Sequence, residues 1–148
     1  MRYVTPVRFR EVIAPPAWLL AFIYFLFSSI SISLWASIGN APAFWCQIFL
    51  TGVLIYIAIR SRMIIEIDEK ELRINNAHIE RKYLGDIKIL DTQAMRITRG
   101  RDADPSAYLA IRFWSPRGVL VEVKDSRDTT PYWLISSKRA NDLAAALR

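Results

Sequence analysis

Two groups of cations are the residues whose types and spacing best suit chemistry in this chain. One group lies mid-chain, and the other lies where Ser136 and Ser137 precede a predicted C-terminal helix. Free backbone N–H groups in the first turn of a helix, with cations beside them, attract phosphate or sulfate. A basic surface that is merely solvated beside an anionic leaflet is the alternative interpretation. The candidate residues for anion or lipid head-group binding are Arg96, Arg99, Arg101, Arg112, Ser137, Lys138 and Arg139, with Arg117 nearby.

Few groups could form a catalytic constellation. The sequence has one histidine, His78, and one cysteine, Cys46, which lies in an apolar segment and has no cysteine to pair with. A nucleophile–histidine pair or a metal site of His and Cys therefore has almost no residues to draw on. No glycine-rich phosphate loop follows a predicted strand. We expect no enzymatic activity, no metal and no cofactor.

Carboxylates offer an alternative, namely an enzyme or accessory subunit of the cell envelope. That function would gather Asp102, Asp125 and Asp128 in a concave pocket beside Tyr132. Asp102 and Asp104 are also close enough in sequence to share a metal, although a solvated turn is the simpler interpretation. The sequence leaves these alternatives open.

A long neutral stretch predicts a membrane hairpin. No Asp, Glu, Lys, Arg or His lies between Glu11 and Arg60, and Gly39 and Pro42 divide the stretch in two. The spans 17–38 and 43–59 are long enough, as helices, for a hydrocarbon core of about 30 Å. A cleaved signal peptide is the competing interpretation, but the first apolar run is too long and a second follows at once. The predicted organisation is a segment 1–16, a hairpin 17–59 and a strand-rich domain 60–148.

The positive charges predict the orientation of this hairpin. Arg2, Arg8 and Arg10 precede it, Arg60 and Arg62 follow it, and the connecting loop carries no charge. The positive-inside rule then places both termini in the cytoplasm. We expect a multi-pass protein of the cell membrane.

Small residues suggest how the two spans pack. Ser29, Ser33 and Ser37 recur on one face of the first span, and Gly52 is a counterpart on the second. Small faces let membrane helices approach closely, either within the hairpin or between copies in a homo-oligomer. Neither span carries an ionisable group at membrane depth that a transporter would use.

The remainder predicts an α+β domain of about seven antiparallel strands closed by a C-terminal helix. The clearest strand pair is the hairpin of 107–114 with 118–124, where apolar and polar residues alternate. Pro131 suits the first residue of the last strand, with Tyr132 and Trp133 on opposite faces. Ser136 or Ser137 suits the N-cap of the helix. We expect a pleckstrin-homology-like barrel, with other small strand-rich sandwiches as alternatives. The predicted strands are 63–67, 71–74, 78–83, 87–90, 95–98, 107–114, 118–124 and 131–136, and the helical stripe is Ala140, Leu143, Ala144 and Leu147.

Several stretches of the chain resemble a known family. They are Glu11 through Trp18, the turn 99–102, the strand AYLAIRFW and the tail DTTPYWLISSKRANDLAAAL. In these the chain resembles an actinobacterial family of membrane proteins, domain of unknown function 3093. The resemblance implies two spans followed by a cytoplasmic strand-rich domain, and it implies no activity. A looser similarity is to bacterial membrane proteins in which two spans precede a pleckstrin-homology-like domain.

These observations favour a non-enzymatic module anchored in the membrane. It would bind a protein partner or anionic lipid head groups at the inner leaflet, and no nucleic acid.

Overall fold

The structure is a computed structural model that describes residues 8–148. These residues form two compact units. The hairpin unit is Ala14–Arg62, and the strand unit joins the described residues up to Ile13 with Met63–Arg148. The predicted segment 1–16 therefore contributes its residues 8–13 to the strand unit. Arg2, which was used to predict the orientation, lies outside the described residues.

The hairpin unit consists of α1 (Ala17–Ile38) and α2 (Asn40–Arg60). Both helices are long and apolar enough to cross a membrane. α2 begins at Asn40 rather than Ala43, and Pro42 lies in its first turn, where the missing N–H of proline removes no helical bond. Gly39 joins the helices at φ 97° and ψ −173°, a conformation that is essentially restricted to glycine.

The first sheet of the strand unit is antiparallel and follows the order of the chain. On its first strand Phe9, Glu11 and Ile13 are buried and the residues between them are exposed, as the period of two requires. Ile13 pairs with Met63, so the hairpin unit is inserted between two partner residues of neighbouring strands. The strands are β1 (Phe9–Ile13), β2 (Met63–Ile67), β3 (Glu71–Ile74) and β4 (Ala77–Glu80).

The second sheet has the order β5-β7-β8-β6. Its outer strand β6 runs parallel to β8 and does not pair with β7, so the predicted hairpin of 107–114 with 118–124 is wrong. Buried and less buried residues do alternate in β7, but this strand pairs with β8 along one edge and with β5 along the other. The seven residues 111–117 then cross from β6 to β7 without pairing. The strands are β5 (Leu84–Leu90), β6 (Tyr108–Ala110), β7 (Gly118–Val123) and β8 (Tyr132–Ser136).

The predicted strand 95–98 is also wrong, because these residues lie in a helix, α3 (Thr92–Arg99). Asp91 caps the helix, and its side chain accepts a hydrogen bond from the Ala94 N–H at 2.7 Å. Met95 is the one buried residue of α3, Ala94 and Thr98 are half-buried, and the other residues of the helix are exposed.

Asp91→Ala tests the contribution of this cap. Loss of the side-chain acceptor is expected to destabilise α3 by about 1 kcal/mol, and Asp91→Asn should recover most of that loss. Amide hydrogen exchange of residues 92–99 in the full chain measures both changes. Equal exchange in the Ala and Asn variants would contradict the capping role.

The last helix, α4 (Ala140–Leu147), follows the predicted stripe, because all four of its predicted apolar residues are buried. Its N-cap is Arg139, without a side-chain cap, so the prediction of a serine N-cap is wrong. α4 packs against one apolar core shared by both sheets. The eight strands of the described part form two sheets of four and no closed barrel, so the predicted seven-strand barrel is wrong.

Candidate functional site

α3 brings together three of the predicted anion-binding residues. Arg96 and Arg99 lie one turn apart on its exposed face, and Arg101 follows directly after its end. All three line one open groove of about 660 Å³, which we call the α3 groove. Its lining is Gln93, Arg96, Ile97, Arg99, Gly100 and Arg101.

The charge of the α3 groove is only partly neutralised. Arg101 pairs with Asp102 at 3.0 Å, and this hydrogen bond raises the pKa of the arginine. Arg96 and Arg99 have no ion-pair partner among residues 8–148. Ile97 is 36% exposed beside them. The exposed face of α3 is thus cationic, with the partly exposed Ile97 among its arginines.

Arg112 is not part of this groove. Its backbone N–H donates to Ser136 Oγ at 3.0 Å, and its guanidinium donates to the Ile111 carbonyl at 2.9 Å. The residue is half-buried. It fixes the chain after β6 against the end of β8.

Ser137 and Lys138 do bind an anion, and that anion is the carboxylate of Glu11. The Ser137 hydroxyl donates to Glu11 Oε2 at 2.5 Å, and the Lys138 backbone N–H donates to Oε1 at 2.9 Å. Ser137 Oγ in turn accepts from the Arg139 N–H at 3.0 Å, which directs the hydroxyl proton towards Glu11. We call this arrangement the Glu11 clasp. It joins β1 to the β8–α4 junction across 126 residues of sequence.

The side chains of Lys138 and Arg139 line a separate cleft of about 510 Å³, together with Arg117. The Arg139 guanidinium donates to Asp142 at 2.9 Å and lies 5.1 Å from the centre of the Phe9 ring. Asp91 also lines the cleft. The charge of this cleft is therefore mixed, unlike that of the α3 groove.

Glu11 is the functional candidate that the sequence did not predict. It is 7% exposed, flanked at two-residue spacing by the core residues Phe9 and Ile13. A carboxylate at a core position of an alternating segment must find hydrogen-bond donors, because burying an unpaired charge is costly. The core position of Glu11 in the alternating pattern could have marked it as a buried, hydrogen-bonded carboxylate, but it does not indicate which residues donate to it.

The carboxylates proposed for an enzymatic function each form hydrogen bonds within a separate turn. Asp128 accepts from the Thr130 N–H at 2.9 Å and Asp102 pairs with Arg101. Asp125 accepts from the Arg127 backbone and side chain, and these bonds hold the pKa of its carboxyl below its usual value. Tyr132 accepts from the Asp104 N–H at 3.1 Å. Each of these bonds is local or structural.

Trp133, next to Tyr132, is a core residue. It is 6% exposed and its ring lies 4.5 Å from that of Tyr108, whereas Tyr132 is half-buried. In the part of the chain that is described, no group of three His, Cys, Asp or Glu side chains is placed to hold a metal ion.

The predicted packing serines do not make the contact between α1 and α2. Ser29, Ser33 and Ser37 are exposed, and each hydroxyl donates to the carbonyl four residues earlier in its own helix. A Cβ added at Gly52 would meet no atom within 4 Å.

Other small and polar residues occupy the helix contact. Ser31 and Ala43 are the buried residues of α1 and α2, and Gln47 Nε2 donates to Ser28 Oγ at 3.4 Å. The contact face of α1 is therefore rotated away from the three predicted serines.

Comparison with known proteins identifies the family. Neither a curated protein nor a solved structure matches the chain significantly. The family model described as Protein of unknown function (DUF3093) matches residues 8–147, which include β1, the hairpin unit and the rest of the strand unit. The chain therefore belongs to the DUF3093 family.

Proposed function

We propose that this protein is a membrane-anchored module that binds anionic lipid head groups through the α3 groove. The observation that carries the proposal is the convergence of Arg96, Arg99 and Arg101 on one open surface, with two of these cations unpaired among the described residues. The partner is the anionic leaflet in which the hairpin unit itself is embedded.

The strand unit supports a hairpin whose two ends lie on one side of the membrane. β1 precedes the hairpin unit and β2 follows it, yet the two strands pair over five residues from Phe9 with Ile67 to Ile13 with Met63. This pairing requires that the chain return to the side from which it entered. The positive-inside rule, applied to Arg8, Arg10, Arg60 and Arg62, makes that side the cytoplasm.

Short linkers support a partner at the membrane surface. Three residues, 14–16, separate β1 from α1, and two residues, 61–62, separate α2 from β2. Linkers of this length span at most about 10 Å. The strand unit is thus tethered directly to the hairpin unit, and cations close to an anionic surface contribute about 1 kcal/mol each.

The composition of the α3 groove favours lipid over a folded protein partner. Three arginines around one isoleucine, Ile97, provide multivalent contacts for phosphates and one apolar side chain for the interfacial region. A protein interface would be expected to centre on a larger apolar or aromatic cluster.

A fluorophore in the α3 groove tests the proposal in the full chain. Gln93→Cys, in a Cys46→Ser background, places one label in the groove lining. In nanodiscs of phosphatidylcholine mixed with phosphatidylglycerol, the emission should shift towards that of a lipid-embedded probe as the anionic fraction rises. Replacing Arg96, Arg99 and Arg101 by Gln should lower the equilibrium constant for association of the groove with the lipid surface by about a hundredfold, since each cation contributes about 1 kcal/mol. Added salt should act in the same direction.

A matched variant removes equal charge elsewhere. Lys70, Arg73 and Lys82 are exposed cations of the strand unit outside the groove, and their replacement by Gln should leave the shift almost unchanged. An equal emission shift in neutral and anionic nanodiscs, or an equal loss of that shift in the two triple variants, would contradict the proposal.

A further inference from the structure

We infer a second, independent anion site, the Glu11 clasp, which the chain fills with its own carboxylate. External oxyanions, meaning carboxylates or phosphates, reach this site only when Glu11 is withdrawn. The inference does not depend on the α3 groove, because the two sites share no residue.

The clasp has the features of a built oxyanion site. Ser137 is fully buried and its neighbour across the clasp, Glu11, is nearly so. Both carboxylate oxygens are bonded, one to a hydroxyl and one to a backbone N–H. Because the Arg139 N–H already occupies Ser137 Oγ as an acceptor, the hydroxyl is oriented as a donor to an anion. Donors fixed in this way can donate to another oxyanion of similar size.

The cations beside the clasp favour a negative occupant. Lys138 contributes its backbone N–H to the clasp and also lines the adjoining cleft, together with Arg117 and Arg139. Asp142 and Asp91 line the same cleft and offset part of this charge. A single carboxylate or phosphate group therefore fits the site better than a polyanion.

The position of β1 provides the route by which Glu11 can leave. β1 is the edge strand of its sheet and pairs only with β2 within the described residues. Withdrawal of the Glu11 side chain with β1 still paired breaks two hydrogen bonds and leaves Phe9 and Ile13 in the core.

Chemical rescue of Glu11→Ala tests the inference in the full chain in a zwitterionic detergent. The substitution removes the carboxylate and leaves space for formate. At about ten times its Kd, formate should raise the melting temperature of the variant by about 5 °C and shift the amide resonance of Lys138. In the wild-type protein formate should change neither quantity, because Glu11 occupies the site. If the variant is unfolded without formate, the same binding appears as formate-dependent recovery of the near-ultraviolet circular dichroism.

Three further variants make the result specific. Glu11→Gln fills the space with an uncharged amide and should show no response to formate. Glu66→Ala removes a carboxylate of β2 that pairs with Arg10 on the exposed face, and it should also show none. Ser137→Ala combined with Glu11→Ala should weaken the formate response at least about tenfold, the effect of one hydrogen bond to a charged group.

Inorganic phosphate and lipid are separate arms of the same experiment. Phosphate should replace formate in Glu11→Ala, and nanodiscs containing phosphatidylglycerol show whether a lipid head group also shifts the Lys138 amide. Absence of any anion response in folded Glu11→Ala, an equal response in the wild type, or an unchanged response in the double variant would overturn the inference. A failed α3 groove experiment would leave it standing.

Discussion

Replacement of residues 14–62 by the dipeptide Asn-Gly is expected to give a soluble, folded strand unit. Ile13 and Met63 are register partners at the adjacent ends of β1 and β2, so their Cα atoms are separated by about 5 Å. A two-residue Asn-Gly turn closes such a pair with the twist that antiparallel strands require. The hairpin unit then behaves as an insertion into a β-hairpin.

The contrasting protein is residues 63–148 alone, which lacks β1. It should fail to fold cooperatively, because the core loses Phe9 and Ile13, each worth about 1.5–3 kcal/mol of burial. The clasp loses Glu11, whose hydrogen bonds to a charged group contribute about 1.5–3 kcal/mol each. This total is comparable to the whole stability of a domain, about 5–15 kcal/mol.

Dispersed amide resonances and a single thermal transition measure the outcome for both proteins. Ile13→Asp in the Asn-Gly protein is the matched control, since it keeps the chain length and places a charge in the core. Cooperative folding of residues 63–148 at the same temperature would show that β1 is dispensable. A folded Asn-Gly protein would also permit vesicle binding experiments without the hairpin unit.

Local patterns predicted the elements whose partners are near in sequence. The absence of charge marked both apolar helices, because a single charged residue is costly at membrane depth. The spacing of Leu143, Ala144 and Leu147 located the buried stripe of α4, which needs only one apolar surface to pack on. Val119 and Val121 likewise marked the buried face of β7.

Long-range pairing explains the errors in the fold. β6 was expected beside β7 because they are neighbours in sequence, but its three residues pair with β8 instead. The contact of Tyr108 with Trp133 forms there, and no periodicity specifies it. Residues 95–98 have the composition of a strand, yet the Asp91 cap and the single anchor Met95 make them helical.

In the candidate site, too, local groupings were predictable from sequence and long-range contacts were not. Arg96, Arg99 and Arg101 were grouped by their closeness in sequence. The predicted strand at 95–98 would put Arg96 and Arg99 on opposite faces, and it is the helix α3 that places them on one face. Residues 137–139 were predicted to bind an external anion, whereas Ser137 and Lys138 donate to the chain's own Glu11 and the Arg139 guanidinium donates to Asp142. Glu11 lies 126 residues from Ser137, and its placement depends on β1 joining the sheet across the inserted hairpin unit.

Gly118→Ala is expected to destabilise the strand unit more than any other alanine substitution at a glycine. A Cβ at this position would lie 2.1 Å from the Ile135 carbonyl oxygen and 2.9 Å from Met95 Cε. The carbonyl belongs to β8, the direct neighbour of β7, and cannot move without breaking the ladder between them. β5 holds the other edge of β7. Overpacking against fixed backbone costs about 3 kcal/mol or more.

Hydrogen exchange of the β7 and β8 amides in the full chain measures this loss, which corresponds to an increase of about a hundredfold in the open population. Gly85→Ala is the matched control, because its added Cβ lies 2.8 Å from Lys124 Cε, the far end of a flexible exposed side chain, and 3.0 Å from Glu122 Cβ, and it meets no backbone atom this closely. Lys124 can turn away, whereas the Ile135 carbonyl cannot, so the control should lose much less. Equal exchange in the two variants would show that β7 can shift relative to β8, and would contradict the predicted rigidity of this strand pair.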